Sequence, residues 1–413
     1  MSEKKNIRLR SGKKGVRKAG HPWIFKGQLT KLDPAIRPGD IISITDDKNK
    51  FIGRGYYNPK SEIAVRLLTF TDEPINRDFF YKKIAAALKR REPLLNIGAG
   101  LNLPHRKGIT NAYRVVFSEA DGLPGLIADL YNDTAVFQIL TLGMEKFKTE
   151  IADVIDDLLK PKYLYEKSAS PFRKIEGLKD VTGWWGGEGK GLVEISEGKV
   201  RFLVDIINGH KTGFYLDQRK SRIALEGISR GKDVLDLFCY TGGFSVSAAI
   251  SGARRVIGVD IKEDWLNLAR ENARLNGVHE KTEFVKGDSF AVLKDMSGSG
   301  KKFDIIALDP PSFLKGRESR VTAARGYREL NSLAMKSLSG GGILATFSCS
   351  HNMPNELFSK VIKESADAAG RKFTILKRCR QAEDHPIVKG IPETEYLKGY
   401  FLKMESNIIK EKG

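Results

Sequence analysis

The chain has 413 residues, 41% hydrophobic and 29% charged; at roughly 100–200 residues per domain this leaves room for about two to four domains, and the balance excludes a disordered or fibrous chain. Lys and Arg outnumber Asp and Glu by 70 to 51, a net charge of +19, which favours an anionic partner, nucleic acid before membrane. No apolar run reaches the roughly 18 residues of a membrane span and none follows the basic N-terminus, so a cytoplasmic protein without membrane attachment is expected.

In chain order, the basic excess comes first: residues 1–31 hold ten Lys or Arg, from Lys4 to Lys31, against the single acid Glu3. Short β-type runs at 40–45, 51–57 and 64–70 then alternate with turn residues and predict a small β-barrel or half-barrel. Over 78–95 the spacing of Phe79, Ile84, Leu88 and Leu95 predicts an amphipathic helix, with a linker near residue 74 as the first boundary. Strands at 113–117, 122–127 and 134–140 and a helix at 146–159 predict a second, α+β unit. A Gly-rich stretch at 183–191, carrying Trp184 and Trp185, precedes strand-like runs at 192–196 and 200–206, and the second boundary falls near 195. From residue 232 onward, strands at 234–238, 256–259, 283–286, 303–308 and 342–347 alternate with helices at 243–250, 264–276 and 327–338. That alternation predicts a parallel sheet with helices on both faces. In the helix from Asp264, the residues Trp265, Leu268, Ala269, Asn272 and Leu275 share one face. The chain therefore reads as multidomain α/β and α+β, divided into 1–74, 75–195 and 196–413.

The chemistry sits in the last of these. Asp236 ends a buried strand and is followed by Gly242-Gly243 at a helix entrance, where a backbone can approach a ligand closely. The next strand ends in Asp260, suited to accept hydrogen bonds from two ribose hydroxyls. Gly287-Asp-Ser-Phe290 offers a carboxylate and an aromatic ring for an adenine, and a fourth strand ends in Asp309-Pro-Pro-Ser-Phe313. Each signal alone is weak, since an acid at a strand end is often a helix cap, but four in order point to one nucleoside-bearing cofactor. The first turn lacks Gly-x-Gly-x-x-Gly, which disfavours a dinucleotide and its pyrophosphate; S-adenosylmethionine has no pyrophosphate to cradle.

At these motifs the sequence resembles the class I S-adenosylmethionine-dependent methyltransferases, and more narrowly the RlmI-type ribosomal RNA cytosine-C5 methyltransferases, over nearly its whole length. The strings that carry the narrower resemblance are His21-Pro-Trp-Ile-Phe25, Ser118-Glu-Ala-Asp-Gly-Leu-Pro-Gly-Leu126, Thr212-Gly-Phe-Tyr-Leu-Asp-Gln-Arg219, Arg325-Gly-Tyr327, Phe347-Ser-Cys-Ser350 and Ala382-Glu-Asp-His-Pro386. The resemblance implies an N-terminal PUA domain, a central α+β domain and a C-terminal Rossmann-like methyltransferase domain. It implies S-adenosylmethionine as cofactor, with Asp236, Gly242 and Gly243 at the methionine portion, Asp260 at the ribose, and Asp288 with Phe290 at the adenine. Phe214, Asp217, Gln218 and Arg219 would close the pocket, and Phe238, Tyr240, Thr241, Ser289 and Asp309 complete the implied set. Large-subunit ribosomal RNA is the implied partner, and related proteins suggest a homodimer, which the residues leave open.

Carbon-5 of cytosine is too poor a nucleophile to attack a sulfonium unaided, so a thiolate must first add to carbon-6. Of Cys239, Cys349 and Cys379, Cys349 follows a strand at the carboxyl edge and matches the family's nucleophile position. Cys239, inside the cofactor turn, and Cys379, on a late strand, read as structural. Asp309 would hydrogen-bond the cytosine edge. Ser312 stands where many such enzymes carry a second cysteine, which leaves the base for the carbon-5 proton unnamed. Nitrogen-directed enzymes place an aromatic directly after Pro-Pro, whereas here Phe313 comes one residue later; that reading is lowered and stays open, as does a noncatalytic RNA-binding assembly factor. Trp23, Phe25, Trp184 and Trp185 are candidates for stacking on RNA bases, with interdomain packing as the alternative for the last two. His351, near Cys349, is a candidate for proton transfer. The His spacings predict no metal site.

Overall fold

Three stretches of chain, Met1–Gly198, Val204–Leu216 and Glu383–Thr394, make up one unit, and Lys199–Leu203, Asp217–Ala382 and Glu395–Gly413 make up the other. The computed structural model describes residues 5–10, 20–31, 33–95, 110–312 and 320–405. Phe313 and the basic residues Lys13, Lys14, Arg17 and Lys18 lie outside the described residues. Among the described residues no helix is long and apolar enough to cross a membrane.

In the first unit, β1 (Asn6–Arg8), β2 (Trp23–Phe25), β3 (Ile41–Thr45), β4 (Phe51–Tyr57) and β5 (Ile63–Thr69) form a sheet in the order β1-β3-β4-β5-β2. Inward-facing Ile7, Ile24, Ile42, Ile44, Val65 and Leu67 make its core. β1 and β2 come from the basic segment, which reads as charged surface because only alternate residues face inward.

Helix α1 (Arg77–Leu95) leads into a second sheet of β6 (Ala112–Phe117), β7 (Leu126–Tyr131), β8 (Thr134–Ile139), β9 (Tyr163–Ser168) and β10 (Val181–Trp185), ordered β10-β9-β8-β7-β6. The short α2 (Leu142–Glu145), then α3 (Lys148–Leu159) and α4 (Pro171–Glu176), complete this part, and Phe80, Ile84, Phe137, Ile151 and Ile155 pack between α1, α3 and the sheet. The expected strand at 122–127 is instead a turn entering β7. The Asp121 carboxylate accepts from the Phe117 N–H at 2.6 Å, and Gly122 adopts φ +70°. Trp184 lies 4.8 Å from the Tyr165 ring and Trp185 5.9 Å from Phe137, so both half-buried indoles pack on their own sheet. The Trp23 indole N–H is bonded to Glu119 at 2.9 Å.

Arg91, fully buried on α1, holds this unit together. It makes a two-pronged pair with Asp121 at 2.7 Å per bond and donates to the carbonyls of Ala87, Arg114 and Asp384. Asp384 in turn accepts from the Arg114 N–H at 3.0 Å. Two of the strings singled out in the sequence, at 118–126 and 382–386, thus meet around one guanidinium as architecture. Removing one partner of a buried ion pair costs about 3–5 kcal/mol, and Arg90 stays bound to Asp121 at 2.8 Å, so the lower end applies. Arg91→Ala is expected to lower the unit's melting temperature by roughly 10 °C; a calorimetric scan showing a shift under roughly 2 °C would contradict this account.

A two-stranded ribbon, β11 (Leu192–Glu197) and β12 (Val200–Asp205), precedes the second unit's seven-stranded sheet. That sheet contains β13 (Asp233–Leu237), β14 (Arg255–Asp260), β15 (Thr282–Lys286), β16 (Phe303–Leu308), β17 (Leu338–Ser348), β18 (Phe373–Arg380) and β19 (Lys398–Met404), ordered β15-β14-β13-β16-β17-β19-β18. Its helices are α5 (Arg219–Glu226), α6 (Gly243–Ile250), α7 (Glu263–Leu275), α8 (Ser289–Gly298), α9 (Arg320–Lys336) and α10 (Asn355–Ala369). The first five strands in this order are parallel, as expected, but β19 runs antiparallel to both neighbours, so the sheet is mixed. α10 supplies the crossover a parallel connection needs, and β18 can then reach β19 by the shorter return open to antiparallel strands. Helix α9 starts seven residues ahead of the expected 327. On α7 the buried residues are Leu266, Ala269, Asn272 and Ala273, a face rotated from the expected one; Trp265, Leu268 and Leu275 are only half-buried.

Candidate active site

The parallel strands end together, and the side chains that could do chemistry leave the second unit's sheet along that carboxyl edge. After β13 the chain turns sharply into α6: Phe238 and Tyr240 take φ +62° and +51°, and Gly242 takes +81° as the N-cap of α6. Non-Gly residues in that region cost of order 1–3 kcal/mol each and persist only where surroundings enforce them. Here Asp260 at the end of β14 accepts from the Tyr240 N–H at 2.9 Å, and Ser289 accepts from the Phe238 N–H at 3.3 Å. Asn272, buried on α7, donates to the Thr241 carbonyl at 3.0 Å and accepts from the Leu203 N–H at 2.7 Å. A Cβ on Gly258 of β14 would lie 2.7 Å from the Phe284 ring and 2.9 Å from Ser245 Oγ, so that position admits only glycine.

Asp236, 1% exposed, takes the N–H and hydroxyl of Ser245 on the same oxygen, at 2.9 and 2.6 Å. Its other oxygen, Oδ1, is buried with no hydrogen-bond partner. Burial first, and then the charges of Asp309 and Asp260, push this carboxyl up to about 7 against the two Ser245 bonds. Asp260 spends its second oxygen on the Ile261 N–H at 2.7 Å. Asp288 is exposed and caps α8, accepting from the Ala291 N–H at 2.9 Å, while Phe290 beside it is half-buried.

Asp217, Gln218 and Arg219 are buried at the entrance of α5. Gln218 Nε2 donates to Asp309 at 3.0 Å, and Asp217 accepts from the Tyr396 hydroxyl at 2.6 Å. Phe214 belongs to the first unit, where its ring is buried and its N–H donates to Tyr131 at 3.2 Å. In the second unit the structure therefore gathers Asp217 to Arg219, Asp236 to Gly243, Asp260, Asp288 to Phe290, Asp309 and Cys349 along one edge.

Cys349 follows β17 directly and is half-buried, on the strand next to β16, where Leu308 stands opposite Thr346. Tyr327 of α9 lies within electrostatic reach of both Cys349 and Asp309, and burial pushes its phenol up, which keeps it neutral. Cys239 is buried and its thiol is driven well above the ordinary range, again by burial first; Cys379 is buried on β18 with its thiol also raised. His351 is exposed, with its ring 5.5 Å from that of Tyr396.

Sequence reasoning missed three members of this edge. Asn272 reads as a helix-face residue and is a clamp on the glycine turn. Ile261, 62% exposed immediately after Asp260, is an apolar surface beside that acid; its placement after a strand-end acid was the available signal. Lys398, 5% exposed, sits under the Cys349 turn, and no sequence signal separates it from a surface lysine.

The residues present suit S-adenosylmethionine. Buried polar atoms without a protein partner cost free energy unless a ligand satisfies them, and Asp236 Oδ1, Gln218 Oε1 and Thr241 Oγ1 are three such atoms on segments at one sheet edge. Burial and the neighbouring acids disfavour the Asp236 anion, and an ammonium group at its unpaired oxygen would offset that penalty; the turn after β13 lacks the Gly-x-Gly-x-x-Gly pattern of a pyrophosphate site.

Residues 177–390 match the family described as S-adenosylmethionine-dependent methyltransferase, and residues 7–70 match a PUA-like domain. A protein of Alteromonas mediterranea named ribosomal RNA large subunit methyltransferase I is 42% identical over 381 residues, 92% of this chain and 94% of its own length. Another of that name, from Aeromonas hydrophila, is 41% identical over 387 residues, 93% and 95% of the two lengths. A solved chain proposed to be a methyltransferase, in complex with SAH, superposes with a TM-score of 0.82 at 23% identity, covering 96% of this chain and 99% of its own; at that identity the likeness is one of fold.

Proposed function

The chain belongs to the ribosomal RNA large subunit methyltransferase I family of S-adenosylmethionine-dependent enzymes, and from that membership we propose that its acceptor atom is carbon-5 of a cytosine, reached through a covalent adduct at Cys349. The observation that carries the proposal is the placement of a half-buried cysteine and Asp309 on neighbouring strand ends of the edge that holds Asp236 and Asp260. When bound, the cofactor supplies an electrophilic methyl group on a sulfonium. The thiolate of Cys349 adds to carbon-6, forming a sulfur–carbon bond and moving the carbon-5/carbon-6 electron pair onto carbon-5. Carbon-5 would take the methyl group as the methyl–sulfur bond breaks and its electron pair stays on sulfur; a base then removes the carbon-5 proton, the freed pair re-forms the ring double bond, and the Cys349–carbon-6 bond breaks with its pair returning to sulfur. Asp309, held by Gln218, accepts from the cytosine amino group and orients the ring. Asp236 receives the methionine ammonium, Asp260 the ribose, and Ile261 with Phe290 flank the adenine. In this reading residues 1–74 dock RNA through their basic excess, 75–195 form the central domain and 196–413 carry out the transfer; a base in structured RNA must leave its stack to reach Cys349.

The test is nucleoside mass spectrometry of unmodified large-subunit RNA incubated with the protein and methyl-labelled S-adenosylmethionine. Label in 5-methylcytidine is expected. Label on a guanine or on an exocyclic amine would replace the thiolate reading with one centred on Asp309, and RNA binding without any label would indicate a noncatalytic factor.

A further inference from the structure

Lys398 opens β19 directly opposite Ser348, the last residue of β17, so it stands beside the residue that precedes Cys349. Its side chain turns inward: the ammonium donates at 2.6 Å to the carbonyl of Ser350 and at 2.6 Å to that of Met353. These two carbonyls belong to the turn that carries Cys349 from β17 toward α10. Among the described residues the ammonium forms no ion pair, and two of its three N–H bonds are used. Burying a lysine without a carboxylate partner is costly, and two neutral carbonyls repay only part of that cost. The acidic groups whose charge acts on it are Cys349 and Glu395, and Glu395 is engaged with Arg380 at 3.2 Å.

We propose that Lys398 is a positioning residue for Cys349: its buried ammonium braces the turn from Ser350 to Met353 and supplies the positive charge against which the Cys349 thiolate forms, the thiol proton leaving to solvent. This rests on the reading of Cys349 as nucleophile. Arg219, buried at the entrance of α5, is the other cation placed along this edge; the remaining groups named there do not supply that charge. Tyr327, from α9, is neutral, and Asp309, at the end of β16, opposes a second anion. Tyr396 and Asp217 bond to each other, and His351 is exposed against Tyr396. Burial draws the Lys398 ammonium itself down to about 8, so the brace carries charge at neutral pH and loses it in mild alkali.

The experiment follows alkylation of Cys349 by iodoacetamide against pH, read by peptide mass spectrometry on the full-length protein without RNA or cofactor. In the wild type the midpoint is expected below the ordinary thiol value of about 8.5. In Lys398→Met it should rise by about one pH unit or more, with kcat falling roughly 100-fold and KM for RNA and cofactor changing less than about threefold. Lys398→Arg, which keeps the charge, should restore a low midpoint. A wild-type midpoint at or above about 8.5, or an unmoved midpoint in a folded Lys398→Met, overturns the proposal. Should Lys398→Met fail to fold, the wild-type midpoint alone decides. Because the alkylation readout involves no RNA, it stays distinct from the identity of the methylated product, whose failure would show only in the nucleoside measurement.

Discussion

Cys349→Ala is expected to abolish methyl transfer, by a factor of at least about 10⁴ in single turnover, while cofactor affinity changes less than about twofold. The asymmetry follows from the site. Asp236 and Asp260, which would hold the cofactor, depend on Ser245, Tyr240 and Ile261 and not on the cysteine. Without the thiolate there is no electron pair at carbon-5 to take the methyl group, and neither remaining cysteine can replace it, since Cys239 and Cys379 are buried with raised thiols. RNA carrying 5-fluorocytosine gives a sharper readout: fluorine cannot leave carbon-5 as a cation, so the adduct persists as a band on a denaturing gel in the wild type and is absent in the variant. A residual rate within tenfold of wild type would end the covalent mechanism.

Asp236→Asn is expected to split stability from function. The carboxyl is raised from 3.8 to about 7 in the folded chain, so the folded state binds more protons than the unfolded one between those values. Its contribution to stability is complete below pH 3.8 and is lost as pH rises through 7. At pH 8 the buried anion therefore weighs against the ligand-free fold by about 2–4 kcal/mol, at 1.36 kcal/mol per pH unit and discounted for the coupling to Asp309 and Asp260. Asparagine keeps an acceptor for Ser245 and carries no charge. The ligand-free variant should melt several degrees higher than wild type at pH 8, with the gain shrinking toward pH 5, and should bind S-adenosylmethionine at least about 100-fold more weakly, the loss of a charge-assisted bond to its ammonium. Differential scanning calorimetry at the two pH values with titration calorimetry for the cofactor checks both halves. Equal melting at pH 8, or wild-type affinity, would contradict the role given to Asp236.

The parallel strands of the second unit are legible because β13, β14 and β16 are buried on both faces and read as continuous apolar runs. Their ends place Asp236, Asp260 and Asp309 with no further information. The face of α7 is less legible, because its central buried residue is polar: Asn272 is satisfied by the backbone of Thr241 and Leu203, and such partners lie far from it in the chain. The strings at 118–126 and 382–386 stand out as strings, yet their meeting around Arg91 spans 293 positions to Asp384, beyond any local pattern. Asp288 appears as an acid beside an aromatic ring, and the structure shows in addition that it caps α8. Lys398 is hidden for the opposite reason: a lysine in a strand is read as solvated, and only the two carbonyls beneath it reveal that it faces inward.

The return of residues 383–394 to the first unit sets the order in which this protein can mature. Arg91 and Arg114 are made well before the Asp384 that engages both. At translation speeds of about 5–20 residues per second, the first unit waits roughly ten to forty seconds, with the second unit's stretch Asp217–Ala382 being made in the interval, before its strap of residues 383–394 arrives. Until then the Arg91 guanidinium lacks one of its carbonyl acceptors and the Arg114 N–H lacks its carboxylate. The first unit is therefore complete only after all of the second unit's sheet but β19 has been made, and a premature stop anywhere before residue 384 leaves both units unfinished.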